Sequence, residues 1–223
     1  MLHLNRFIEH TALKPTLTEK DVHLLVEEAI EYEFLGVCVP TFWVRKAAHE
    51  IRKHGIQLVT VIGFPLGYQM TENKLDEIKL AVDNGANELD IVMNISAFKS
   101  QMSWAKVELA KCAQLIHARN CLMKVIIETA YLSDEEIVKA SLMCQDAGTD
   151  FVKTSTGFAP AGAKAEHIKL IRSTINSNVG VKASGGIRDL ETSVKMIEAG
   201  ADRLGVSAGV QIMQEMSKIY LGK

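Results

Sequence analysis

The chain has no cysteine pair at CxxC spacing and no histidines at HxH or HExxH spacing. Its four cysteines (Cys38, Cys112, Cys121 and Cys144) and seven histidines are scattered. Zinc sites and redox dithiols need such spacings, so no dedicated metal site is expected. The cysteines read as reduced thiols of a cytosolic protein. No apolar run approaches the roughly 20 residues of a membrane helix. The opening "MLHLNRFIEHTALKP" lacks the apolar stretch of a secretory signal. The net charge of −2 offers no basic field for nucleic acid or an anionic membrane. No Pro/Gly/Ser-rich linker or low-complexity tract divides the 223 residues, so 1–223 reads as a single domain.

What is present is an alternation of short apolar runs with helical periods. The runs are "RFIEHT", "LGVCVP", "LVTVIGFP", "ELDIVMN", "LMKVIIET", "DFVKTST", "VGVKAS" and "DRLGVSA". Most are too apolar on both faces for an exposed antiparallel sheet. Between them lie helices. Val22, Leu25, Val26, Ala29 and Ile30 share one helical face behind Thr18 as N-cap. "SDEEIVKASLMCQDAG" opens with a Ser133–Glu136 capping box and stops at Gly148. Eight βα units in this length predict a (β/α)8 TIM barrel, with a doubly wound open sheet as the competing α/β arrangement.

Two of the runs carry a lysine in their middle, "DFVKTSTG" and "VGVKASGG". Lysine is depleted in strands and rarely buried alone, so both need a reason. Counting five residues on from Gly85, Gly148 and Gly200, each a helix-ending glycine, gives Asp90, Lys153 and Gly205. The shared helix exit predicts one height for all three. Strand parity puts Asp90, Lys153 and Lys182 on the barrel axis and leaves apolar neighbours facing the helices. Two such lysines on adjacent strands, about 4.8 Å apart, would disfavour each other's second proton, as does burial. The neutral amine is a nucleophile for carbonyls, and Asp90 can move protons. An ion-paired plug filling the barrel fits the same spacing equally well. "SGGIRD" and "GVSAG" follow the seventh and eighth strands, where barrels often hold phosphate on backbone N–H groups.

The motifs "IEHTALKP", "GVCVP", "VIGFPLG", "ELDIVMNI", "KVIIET", "FVKTSTGF", "VGVKASGGIR" and "GVSAG" run over nearly the whole chain. In that order and spacing they resemble the deoxyribose-phosphate aldolases, class I aldolases that use a Schiff base. The resemblance implies reversible cleavage of 2-deoxy-D-ribose 5-phosphate to D-glyceraldehyde 3-phosphate and acetaldehyde, in deoxyribonucleoside catabolism. It implies Lys153 as the Schiff-base lysine, Lys182 as the residue perturbing it and relaying protons, and Asp90 as general acid/base. It places Thr11, Cys38, Gly157, Gly185, Gly186, Gly205 and Ser207 against substrate. It implies no metal or organic cofactor, a small phosphosugar and acetaldehyde as partners, a cytoplasmic setting and a homodimer or larger assembly. The chain departs from the family pattern at four places. Glu9 replaces an Asp, a longer carboxylate expected to hold Thr11 and the pocket. Phe158, before "APAGA", stands where some members place a phosphate-contacting lysine. Ser96 replaces a Gly, with a small geometric effect expected. Tyr220, in "KIYLGK", is the candidate for a tail tyrosine that assists proton transfer in some members, and equally for a helix-packing tyrosine.

Overall fold

A computed structural model describes residues 3–221, with side chains through Ile219. The strands are β1 Ile8–Thr11, β2 Gly36–Val39, β3 Gln57–Ile62, β4 Glu88–Val92, β5 Leu122–Ile126, β6 Phe151–Lys153, β7 Gly180–Ser184 and β8 Arg203–Val206. Each overlaps one of the eight apolar runs. All pair in parallel with their sequence neighbours, and β8 closes on β1, so the sheet is a closed barrel rather than an open one. The helices are α1 Glu19–Glu31, α2 Val44–Ile51, α3 Thr71–Asp83, α4 Ile95–Lys99, α5 Trp104–His117, α6 Asp134–Asp146, α7 Ala165–Thr174, α8 Leu190–Glu198 and α9 Gly209–Leu221.

Local chemistry sets the helix ends as the sequence suggests. Thr18 accepts the Asp21 N–H, and Asp21 answers at the Thr18 N–H, so two otherwise unpaired donors at the start of α1 are satisfied. Ser133 and Glu136 do the same for α6. Val22, Leu25, Val26 and Ala29 are buried, while Ile30 is only half-buried at the edge of the same face. Gly148 takes a φ of 88° just past α6, the left-handed conformation that ends a helix cheaply only at glycine.

The core divides into two unequal parts. Outward strand residues such as Leu89, Ile91, Val152, Val181 and Ala183 join the helix faces in one large apolar cluster. Inside the barrel the apolar content is small: Cys38, Val59 and Val61, with Leu13 and Phe64 half-buried against them. The register explains what fills the rest. A barrel of this kind slips about one residue per strand, so level positions advance about two residues at every second strand. Asp90 pairs through Lys124 with Phe151, which makes Lys153 its level partner. Lys153 leads likewise through Lys182 to Gly205, and Gly205 through Glu9 to Cys38. Cys38 leads back through Val59 to Asp90, and the ring closes. Asp90, Lys153 and Gly205 therefore do share one height.

Applied to the odd strands, the same rule gives the layer below: Glu9, Val59, Lys124 and Lys182. Below that lie Gly36, Glu88, Phe151 and Arg203 on the even strands. Barrel interiors are usually filled by branched apolar side chains. Seven of these twelve positions are instead charged.

Candidate active site

The upper layer has one position without a side chain. A Cβ on Gly205 would lie 3.0 Å from Lys182 Cε and 3.1 Å from Ser184 Cβ, so a larger residue would crowd both. Above this opening is a cavity of about 270 Å³ at the carboxyl ends of the strands. Thr11, Lys153, Ser184 and Gly205 line its inner part. Its rim carries Gly157, Gly185, Gly186 and Ser207, together with the cations Lys14 and Arg188.

Lys153 and Lys182 are direct register partners on β6 and β7, and both reach Asp90. Lys153 Nζ donates to Asp90 Oδ2 at 2.8 Å and Lys182 Nζ donates to the same oxygen at 2.7 Å. Lys124 Nζ lies 3.2 Å from the other oxygen, Oδ1. Lys124 also reaches Glu88 Oε2 at 2.5 Å and lies 3.4 Å from Glu9 Oε1. Lys182 also donates to Glu9 Oε2, and Arg203 bridges Glu9 and Glu88 at 3.0 and 2.5 Å. Every lysine and carboxylate of this network is at most 3% exposed by side chain.

The count of charges is informative. Three carboxylates (Glu9, Glu88 and Asp90) face four cations (Lys124, Lys153, Lys182 and Arg203). Burying an uncompensated charge costs several kcal/mol, about, so the network balances when one cation is neutral. The local fields select which. Burial lowers the Lys153 pKa, the single bond to Asp90 only partly opposes this, and the Lys182 charge adds to the lowering. Burial acts on Lys182 too, but Asp90 and Glu9 together outweigh it and hold that amine above the usual lysine range. Lys124 is likewise raised. Burial pushes the Asp90 carboxyl up, yet Lys124, Lys153 and Lys182 hold it well below the usual carboxylate range. Glu9 is held down to about 2 against its own burial by Lys124 and Lys182. The like charge of Lys182 was expected to make Lys153 reactive; burial contributes more, and Lys182 supplements it.

The rim is suited to an anion. Gly185 and Gly186 have φ of 83° and 78°, a left-handed conformation that strains any residue with a Cβ. The turn they make leaves their N–H groups, and that of Gly157, without a protein acceptor among the described residues. Such groups beside a helix start suit an anion, and α9 begins two residues past Ser207. The turn carrying Gly157 is braced from below. Glu128 Oε2 accepts from both the N–H and the hydroxyl of Thr156, whose oxygen accepts the Phe158 N–H at 3.1 Å.

Lys153, Thr11, Gly157, Gly185, Gly186, Gly205 and Ser207 thus meet at one cavity, with Asp90 and Lys182 directly beneath. Cys38 does not reach it. The thiol shares the upper layer but is fully buried against Val59 and Val61, and burial pushes its pKa up to about 11. Glu9 also differs from expectation. Its side chain serves Lys182, Lys124 and Arg203, and Thr11 donates instead to the Glu9 main-chain carbonyl at 2.9 Å. Phe158 is at the rim, half exposed, edge-on to Phe64 at 5.2 Å. Ser96 is exposed on α4 and outside the cavity lining. The Tyr220 side chain lies outside the described residues. Sequence reasoning passed over Lys124, Glu88, Arg203, Lys14 and Arg188. Lys124 had a visible signal: "LMKVIIET" is a third apolar run with a lysine in it.

Fold and site together are a closed barrel with a buried amine of lowered pKa, an ionised carboxylate beside it and a rim of N–H groups unpaired among the described residues. The chain matches the family described as DeoC/LacD family aldolase over residues 6–215. It is 46% identical over 217 residues to a deoxyribose-phosphate aldolase of Aciduliprofundum boonei, covering 97% of this chain and 98% of that one. Identity to the enzyme of the same name from Clostridium tetani is 47% over 214 residues, covering 96% and 99%. Among solved structures it resembles "QR15, an Aldolase" (TM-score 0.94, 46% identity, 99% of both chains). It also resembles the deoxyribose phosphate aldolase of Aeropyrum pernix, described as tetrameric (TM-score 0.90, 33% identity, 97% and 92% covered). The chain belongs to the DeoC/LacD aldolase family and is an aldolase, a carbon–carbon lyase. No helix among the described residues is long and apolar enough to cross a membrane.

Proposed function

We propose that this aldolase reversibly cleaves 2-deoxy-D-ribose 5-phosphate to D-glyceraldehyde 3-phosphate and acetaldehyde through a Schiff base on Lys153. The observation that carries the reading is one cation too many in a closed network, with the surplus amine being the one at the cavity floor. Neutral Lys153 attacks the C1 aldehyde of the open-chain sugar, and loss of water leaves a protonated imine. Asp90, held ionised, takes the C3 hydroxyl proton, directly or through water. The C2–C3 bond breaks, its electron pair moves into the imine, and the C3 fragment leaves as glyceraldehyde 3-phosphate. The enamine is reprotonated at C2 by the Asp90–Lys182 pair. Water then hydrolyses the imine, releasing acetaldehyde and the free amine. No step calls for a metal or organic cofactor. The setting is a cytoplasmic homodimer or larger homo-oligomer in deoxyribonucleoside catabolism, a reading supported by the relatives' names and the tetrameric relative.

The substrate phosphate sits on Gly157, Gly185, Gly186 and Ser207. Lys14 and Arg188 supply positive charge where Phe158 cannot. Arg188→Gln tests this assignment in a cleavage assay with and without the phosphate. A hydrogen bond to a charged group contributes about 1.5–3 kcal/mol, so KM for the phosphosugar rises roughly 10- to 100-fold, while unphosphorylated 2-deoxyribose is cleaved as by the parent. Equal losses on both substrates would remove the phosphate from this rim.

A further inference from the structure

Lys124 is not among the residues that line the cavity. It is nevertheless fully buried and on the barrel axis, one layer below the reacting amine, at the centre of the network. Its ion-pair partners are three carboxylates: Asp90 Oδ1 at 3.2 Å, Glu88 Oε2 at 2.5 Å and Glu9 Oε1 at 3.4 Å. Among the described residues it is the only group within salt-bridge distance of Asp90 Oδ1, the oxygen that Lys153 and Lys182 do not bond. We propose that Lys124 is a positioning residue for the aldolase reaction, holding Asp90 from below and supplying the cation that makes Lys153 the surplus one. Glu88 is its counterweight at the foot of the barrel. The inference rests on the Schiff-base reading of Lys153.

The argument is one of charge count and geometry. Facing Lys124 are Glu88 and Asp90 from β4, Lys153 from β6, Lys182 from β7, Arg203 from β8 and Glu9 from β1; the further buried carboxylate in the field of Lys153, Glu128, accepts from Thr156 instead, and burial raises its pKa. The Cys38 thiol of β2 is neutral and β3 contributes only Val59. Without Lys124, three carboxylates face three cations and Lys153 becomes a required partner, so it keeps its proton. Without Glu88, two carboxylates face four cations and Lys153 gives up its proton more readily. Opposite signs are therefore expected from removing the two members of one ion pair. A defect of packing alone would move both the same way. At 3.2 Å from Asp90 Oδ1, Lys124 also adds its charge to those of Lys153 and Lys182 in holding that carboxylate ionised, which keeps it a base.

The test is the pH dependence of kcat/KM for Lys124→Met, Glu88→Gln and the double variant. Alongside it, the rate at which acetic anhydride acetylates Lys153 is read by mass spectrometry against pH. A neighbouring charge shifts a titration by about one unit or more. Lys124→Met moves the acid limb up by about one pH unit and Glu88→Gln moves it down by about as much. The double variant stays near the parent. Met replaces the stem of Lys124 closely. Should Lys124→Met not fold, as an orphaned buried carboxylate threatens, Glu88→Gln and the double variant still give the sign and the cancellation. Limbs and acetylation profiles that stay put, or that move in the same direction, overturn the proposal. Acetylation profiles that shift in opposite directions in a protein that does not cleave deoxyribose phosphate sustain it while refuting the proposed reaction.

Discussion

Lys153→Ala abolishes carbon–carbon cleavage, lowering kcat/KM by roughly 10⁴-fold or more, as expected when a covalent nucleophile is removed from groups that act as a unit. The variant should nonetheless fold. Lys153 is the surplus cation, so its removal leaves Glu9, Glu88 and Asp90 opposed by Lys124, Lys182 and Arg203. Asp90 keeps the hydrogen bond from Lys182 on Oδ2, and the Lys124 ammonium stays 3.2 Å from Oδ1. The cost is an enlargement of the cavity that Lys153 already lines, so thermal unfolding should shift by only a few degrees. Loss of activity without loss of fold separates a nucleophile from a structural lysine. A variant that retained substantial cleavage would leave the Schiff-base mechanism without its amine.

Lys182→Met has a different signature, although the two lysines are register partners and share one carboxylate oxygen. Its removal leaves three carboxylates and three cations, so Lys153 becomes a necessary counter-ion and holds its proton. The sign follows from the observed fields: Lys182 lowers the Lys153 pKa, and its absence raises it. At pH 7 activity falls about 10³-fold, the scale of an acid–base group lost from a site. The loss is partly recovered as the pH is raised and Lys153 deprotonates. The plateau stays below the parent because Lys182 also passes protons. Stability falls too, by about 3–5 kcal/mol, as for one partner taken from a buried pair. A pH–rate profile with chemical unfolding alongside measures both. A uniform loss at every pH would assign Lys182 to proton transfer alone.

Much of this site was legible in the sequence because barrel geometry is periodic. Helix-ending glycines set a common strand entry, so counting from Gly85, Gly148 and Gly200 found three residues of one layer. Parity then pointed Asp90, Lys153 and Lys182 inward. The interior below was not legible. Glu88 and Arg203 sit at strand starts, where charged residues usually face solvent, and Lys124, in mid-strand, was the one member with a signal in its apolar run; only the closed register shows that the three meet. Cys38 has the expected strand position and height, but it packs with Val59 and Val61 and is not part of the cavity lining. Glu9 was expected to hold Thr11 because the resemblance puts a carboxylate there, whereas its side chain spans the barrel to β5, β7 and β8. Catalytic set and ion-paired plug were posed as alternatives. The network has the geometry of the plug, and under the proposed mechanism its imbalance is what frees the amine.

The central claim is that Lys153 carries the carbonyl compound as an imine. Incubating the protein with acetaldehyde and sodium borohydride, then mapping peptides by mass spectrometry, tests it directly. The account predicts one reduced two-carbon adduct, on Lys153, blocked in Lys153→Ala and accompanied by loss of activity. An adduct on Lys182 or Lys124 instead, or full activity with no adduct on Lys153, would contradict it.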